Sequence, residues 1–267
     1  MIQEHRTAVN GRIVRFLETG LGRPVILLHA FPVTADIWRP VMSRTPKGWR
    51  FIAPDFRGFG GSSIDDGEVG MDDYANDILK LMDSLLIDDA VIGGLSMGGY
   101  VAFAMFRQAP SRIAGLILVD TRSTADSEDG VRARRALLES AREKGLSAVA
   151  DQMLPKLLGE TSHRDRADLV SEVKRQIHAN PLAGVEAAIY ALMRRPDSTP
   201  DLPLISCPAL VIVGAEDTVT PASDAEALAR GIRNAELAVI AKAGHLSALE
   251  APEDFSTTIT RWLASRH

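Results

Sequence analysis

The strongest constraint in this 267-residue chain is a recurring unit: a short apolar run, a break in glycine or polar residues, then helical periodicity. The runs are Pro24-Val25-Ile26-Leu27-Leu28, Phe51-Ile52-Ala53, Ala90-Val91-Ile92-Gly93, Leu116-Ile117-Leu118-Val119, Leu210-Val211-Ile212-Val213 and Ala238-Val239-Ile240. None alternates apolar with polar residues, so each predicts a strand buried on both faces. Between them, Ile78, Leu81, Met82 and Leu85 recur at helical spacing within 71–86. A second helix is expected over 97–108, stopping before Pro110, and a last one over about 252–263. Such alternation gives an α/β fold, with a mostly parallel central sheet and helices on both faces. Near the start, Asn10-Gly11 sits between two extended runs and predicts a type I′ hairpin.

The rhythm changes between 121 and 195, where strand signals vanish and four helical segments follow one another. Val131, Leu137, Leu138 and Ala141 mark the first, with Gly145 as its stop. The second covers 147–158, with Pro155 expected to kink or end it. Leu169, Val170, Val173 and Ile177 mark the third. Asn180-Pro181 reads as the N-cap and first residue of the fourth, which runs to Arg194. An all-helical insertion in an α/β chain reads as a cap. The expected division is a core of 1–120 and 196–267 and a cap of 121–195.

Composition narrows the function. The formal net charge is −5, and basic residues alternate with acidic ones, which argues against a nucleic-acid partner. The single cysteine, Cys207, permits no intrachain disulfide and reads as a buried thiol. The first residues lack the apolar region of a signal peptide, and no apolar stretch approaches the roughly 18 residues of a membrane span. A cytoplasmic protein without a membrane partner is expected. There is no H-E-x-x-H motif or cysteine cluster, so neither metal nor cofactor is required.

Gly94-Leu95-Ser96-Met97-Gly98 matches G-x-S-x-G between a buried strand and a helix. That turn is sharp, needs glycines beside the serine, and lifts the hydroxyl to a helix N-terminus. Ser96 is therefore the expected nucleophile. Of six histidines, His5 and His267 lie near the termini, and His163 and His178 lie on solvated faces of the insertion. His29 and His245 follow apolar strands, and only His245 comes late enough for the order serine, acid, histidine. The acid must orient the imidazole and stabilise its charged form. Asp217 in Gly214-Ala215-Glu216-Asp217 fits, with Glu216 diverging from it. Asp120, at the end of the preceding strand, is the rival, or else a loop acid that tethers the insertion.

These segments, with three others, resemble the α/β hydrolases. His29-Ala30-Phe31-Pro32 resembles their HG-x-P loop, with Ala30 where the family usually has glycine. Asp55-Phe56-Arg57-Gly58-Phe59-Gly60-Gly61-Ser62 resembles D-x-R-G-x-G-x-S. This glycine cluster lacks the Gly-Lys-Ser/Thr ending of a phosphate loop, and its Arg57 is expected to brace loops. The 214–221 segment resembles the G-x-x-D-x-x-x-P acid loop, and Gly244-His245 with Glu250, Pro252 and Glu253 resembles the base segment. The resemblance spans nearly the whole chain. It implies an oxyanion hole from the N–H groups of Phe31 and Met97. Serine at 96 sets the chain apart from the dehalogenases and epoxide hydrolases of this fold, which carry aspartate there. The chain looks most like small bacterial esterases, enol-lactonases and C–C hydrolases. Cleavage of a small-molecule ester or lactone through an acyl-enzyme is expected. A cofactor-free C–C hydrolase or lyase, or a ligand receptor of the same fold, is the alternative. The cap leaves from a strand end on the side of Ser96, so Leu154, Leu157, Leu158, Ile189 and Met193 are candidates to line the substrate pocket. Arg122, Arg194 and Arg195 are candidates to bind a substrate carboxylate.

Overall fold

The computed structural model describes residues 1–65 and 67–265, so His267 lies outside the described residues. Eight strands form one sheet: β1 Gln3–Val9, β2 Arg12–Gly20, β3 Gly22–Leu28, β4 Gly48–Pro54, β5 Ala90–Leu95, β6 Ile113–Val119, β7 Ala209–Gly214 and β8 Glu236–Ile240. Their spatial order is β1-β2-β4-β3-β5-β6-β7-β8. The β1/β2 and β2/β4 pairs are antiparallel, and every other pair is parallel. The first hairpin turns at Asn10 and Gly11, both with positive φ (50° and 79°), as a type I′ turn requires.

All six residues of β5 and of β7 are buried, as their uninterrupted apolar runs predict. The last strand differs. In β8 only Ile240 is buried, while Leu237 and Val239 are 42% and 56% exposed. β8 is an edge strand, paired on one side only. An apolar triplet does not reveal whether a strand is central or terminal in the sheet.

The core helices are α1 Arg39–Met42, α2 Met71–Ser84 and α3 Met97–Gln108, followed after the cap by α9 Ala222–Gly231, α10 Ser247–Glu250 and α11 Pro252–Ala264. α2 packs on α3, α3 on β5, and α9 on β7. Between β6 and β7 the cap contributes α4 Glu128–Lys144, α5 Leu146–Leu157, α6 Glu160–Asp165, α7 Ala167–His178 and α8 Leu182–Met193. That is one helix more than periodicity indicates, because α6 (ETSHRD) has no apolar residue to mark it. α5 continues for two residues beyond Pro155. α8 begins one residue later than expected, with Pro181 as its N-cap. Asn180 does not cap it. Its side chain donates to the Pro32 and Gln176 carbonyls and accepts from the Gly60 N–H, tying cap to core.

The cap touches the core through glycines at two points. A Cβ on Gly184 would lie 1.8 Å from the Gly58 carbonyl oxygen. A Cβ on Gly244 would lie 2.3 Å from the Gly159 nitrogen. At both places backbone meets backbone, which no larger residue permits.

Candidate active site

β5 ends at Leu95 and α3 begins at Met97, so the chain reverses within one residue. Ser96 makes the turn at φ 54° and ψ −110°, a conformation strained for a residue with a side chain. The neighbours must be glycines. A Cβ on Gly94 would lie 2.3 Å from the Gly98 carbonyl oxygen, and one on Gly98 would lie 2.4 Å from that of Leu28. The Ser96 N–H bonds to the Val119 carbonyl, and the Thr121 hydroxyl donates to the Ser96 carbonyl. Neighbouring strand ends thus hold the strained residue.

His245 follows β8 and Asp217 follows β7, so both reach the same sheet edge as Ser96. The three make a chain: Ser96 Oγ is 2.8 Å from His245 Nε2, and His245 Nδ1 is 2.8 Å from Asp217 Oδ2. The carboxylate can only accept, so Nδ1 carries the hydrogen and Nε2 is free to accept from the serine hydroxyl. Asp217 is fully engaged. Its Oδ1 accepts from the N–H groups of Val219 (2.8 Å) and Thr220 (3.0 Å). Its Oδ2 also accepts from the Thr220 hydroxyl at 2.6 Å. Burial pushes this carboxyl up, but the positive potential of His245 and the donated hydrogen bonds outweigh it and hold it below the usual carboxylate range. Thr220 carries no signal in the sequence beyond its place in the acid loop.

Asp120 makes no such contact with the histidine. It is fully buried and accepts from the Gly214 N–H (2.8 Å), the Ser247 N–H (3.2 Å) and the Ser247 hydroxyl (2.6 Å). It ties the loop of Asp217 to the loop of His245, and does not tether the insertion by these bonds. Burial, and then the charge of Asp217, push its carboxyl well above the usual range. His29 is also buried and structural. Its Nε2 accepts from the Phe56 N–H at 3.0 Å while Nδ1 faces the Ala30 carbonyl at 2.9 Å. Burial lowers its affinity for a second proton. Arg57 bonds to Asp77 and to the Asp73 carbonyl, bracing its loop against α2. Among the described residues, no protein acceptor takes the N–H of Phe31 or of Met97. The amide of Met97, first residue of α3, has no intrahelical partner by its position.

The family model for the alpha/beta hydrolase fold matches residues 23–252, most of the chain. The chain belongs to the α/β-hydrolase family. This hydrolase is similar to the thermophilic esterase of Thermogutta terrifontis, with 40% identity, a TM-score of 0.94 and 99% of both chains covered. It is also similar to the enol-lactonase of Burkholderia xenovorans, at 26% identity and a TM-score of 0.90, covering 97% of this chain and 100% of that one. Among curated proteins it is 28% identical to the AB hydrolase superfamily protein YisY of Bacillus subtilis, over 97% of this chain and 98% of its relative.

The pocket candidates of the hydrolase separate into two groups. Leu157, Leu158 and Ile189 are buried in the continuous core, and Leu154 packs against it half-buried. The Leu157 carbonyl accepts from the N–H of Leu246, next to His245, so the end of α5 reaches the loop of His245. Met193 is placed elsewhere. It lines an open groove of about 370 Å³ between α4 and α8, together with Val131, Leu138 and Tyr190 and without any of Ser96, Asp217 or His245. α8 (LAGVEAAIYALM) is apolar around most of its circumference, so its sequence does not say which side faces the site. The three arginines are engaged within the protein. Arg122 bonds to the Val219 carbonyl and pairs with Asp224 at 3.3 Å. Arg194 pairs with Glu68 on the surface. Arg195 is buried, 2.8 Å from Asp126, with its guanidinium over the Tyr100 ring. No described helix is long and apolar enough to cross a membrane.

Proposed function

We propose that this hydrolase cleaves a carboxylic ester or lactone through an acyl-enzyme on Ser96. The observation that carries the reading is the unbroken hydrogen-bond chain Ser96–His245–Asp217 beneath a strained elbow. As Ser96 Oγ attacks the acyl carbon, its proton passes to His245 Nε2. The carbonyl oxygen becomes an oxyanion, which the N–H groups of Phe31 and Met97 receive. His245 then gives its proton to the departing alkoxide, leaving the acyl group on Ser96. A water molecule repeats the sequence, releasing the acid and restoring the serine. Asp217 holds the Nδ1–H tautomer and offsets the charge of the imidazolium.

The acyl group is proposed to be uncharged and largely apolar, lined on the cap side by Leu154, Leu157, Leu158 and Ile189. Arg122, Arg194 and Arg195 support this reading, since each is already paired with a carboxylate of the protein. A substrate carboxylate would have to displace one of those partners. The test combines labelling with turnover. A small fluorophosphonate should label Ser96 alone, read by peptide mass spectrometry. The p-nitrophenyl ester of butyrate should turn over far faster than that of hemisuccinate. Label elsewhere defeats the nucleophile, and preference for the carboxylate-bearing ester defeats the proposed substrate class. Turnover of a vinylogous diketone without ester cleavage would move the reading to C–C bond hydrolysis.

A further inference from the structure

Glu216 and Glu250, acidic side chains of the core, accept from backbone N–H and hydroxyl groups of the cap, and they differ in what else they hold. Glu216 accepts from the Thr161 N–H at 2.8 Å and the Thr161 hydroxyl at 2.5 Å, and its side-chain bonds go to the cap alone. Glu250, at the end of α10, is buried and divides its carboxylate between two structures. Its Oε1 accepts from the N–H of Gly244 at 2.9 Å and of Leu246 at 3.2 Å, the residues on either side of His245. Its Oε2 accepts from the Gly159 N–H at 2.8 Å and the Ser162 hydroxyl at 2.6 Å, both in the cap.

A carboxylate is planar and rigid, so one oxygen does not move without the other. A shift of the 159–162 segment therefore acts on the peptide groups that flank the histidine. The close approach of Gly159 to Gly244 leaves no slack between these backbones. We propose that Glu250 is a positioning residue that couples the seating of the cap to the placement of His245. The imidazole stays in reach of Ser96 only while the cap segment is docked. This rests on the reading of His245 as the base. An amide at position 250 has a single acceptor oxygen and must lose either the base-loop bonds or the bond from the Gly159 N–H.

The test uses the full chain with Glu250→Gln, Ser162→Ala and, for comparison, Thr161→Val. Three quantities are read: the rate at which a small fluorophosphonate labels Ser96, kcat and KM for p-nitrophenyl acetate, and the low-field NMR resonance of the His245 Nδ1–H. Glu250→Gln should lower kcat and the labelling rate by about 100-fold, the cost of a misplacement of around an ångström, with KM nearly unchanged. Ser162→Ala leaves the base loop untouched, yet should lower both rates by about 5- to 10-fold and broaden the low-field resonance. Thr161→Val should leave the labelling rate and the resonance as in the parent. Should Glu250→Gln fail to fold, Ser162→Ala decides. Parent-like labelling and an unchanged resonance in Ser162→Ala would overturn the coupling. So would a loss in Thr161→Val as large as in Ser162→Ala, because the coupling would then not pass through Glu250. Failure of the parent protein to label at Ser96 would count against the hydrolytic mechanism instead. The resonance needs no turnover and still reports on Glu250.

Discussion

The two buried aspartates at the sheet edge are a contrast in what a neighbour does to a carboxyl. Asp217 has an imidazole and three further donated hydrogen bonds, and is held below the usual range despite its burial. Asp120 has only uncharged partners and the charge of Asp217 nearby, and is pushed well above it. The sign of each effect on stability follows from proton linkage. A lowered native value means that Asp217 stabilises the fold at neutral pH, and that this is lost as pH falls through the native value. A raised native value means that the folded protein holds the Asp120 proton more tightly than the unfolded chain does. The contribution of Asp120 is thus greatest in acid and is lost as pH rises through the usual carboxylate range to its native value. The urea-midpoint gap between the parent and Asp120→Asn should therefore widen from about pH 8 to about pH 5. A gap that narrows over that interval would refute a raised Asp120. For activity, His245→Ala should lower kcat by about 10³-fold or more, since among the described residues His245 alone is bonded to the serine hydroxyl. Steady-state kinetics at saturating ester checks this, and a loss of less than about tenfold would remove His245 from the role. At this scale the sequence was informative wherever a residue sits at a strand end inside a motif, as Ser96, Asp217 and His245 do. It placed Thr220 and Glu250 only within family-like segments and gave neither a role, because the role lies in hydrogen bonds: Thr220 donates to the Asp217 carboxylate, and Glu250 accepts from backbone amides and a hydroxyl. Such bonds leave no periodicity and no cluster of one chemical type.

Among the elements, legibility tracked burial. β5 and β7 are central, covered on both faces and spelled in uninterrupted apolar residues. β8 carries a similar spelling at the sheet edge, where an apolar residue can face solvent. α6 went unmarked because it is a short polar bridge held by carboxylates of the core rather than by an apolar stripe. The sequence of α8 does not say which of its residues face the site, because a helix apolar all round has no face to read. What the apolar pattern could not convey is how the cap is seated, and here the glycines decide. Gly184→Ala would put a methyl group 1.8 Å from the Gly58 carbonyl oxygen, within a backbone-to-backbone contact. The N-terminal end of α8 must then lift from the core. The variant should lose about 1–3 kcal/mol in urea titration, as overpacked sites do. If Ile189 on the same helix lines the acyl pocket, the ratio of kcat/KM between short and long acyl esters should change as well. The labelling of Ser96 by a small phosphonate should hardly respond. A stable Gly184→Ala variant with unaltered acyl-length preference would mean that α8 does not shape the pocket.

For the whole molecule, the question is whether cap and core behave as two bodies or one. Helical insertions invite the picture of a hinged lid, and relative motion is the default between domains joined by small polar interfaces. This interface is of another kind. Glu250 and Asn180 are buried, and with Glu216 they bond to backbone and hydroxyl groups across it. The apolar residues of α5, α7 and α8 belong to the same continuous core as the sheet. Separating the cap would strand the Glu250 carboxylate and expose that apolar surface together, so the two parts should unfold in one step. The distribution of aromatic residues makes this measurable. The chain has three tryptophans, and Trp38, Trp49 and Trp262 are all buried in the core, none in the cap. Tryptophan fluorescence therefore reports on the core alone. The far-ultraviolet circular dichroism of the protein includes the five described cap helices. Urea titrations followed by the two signals should give the same midpoint and the same slope, as a two-state transition requires. A circular-dichroism transition that begins at lower urea than the fluorescence transition would show the cap melting first. It would then be a lid with a stability of its own, and the coupling of cap to base through Glu250 would have to operate across a mobile joint.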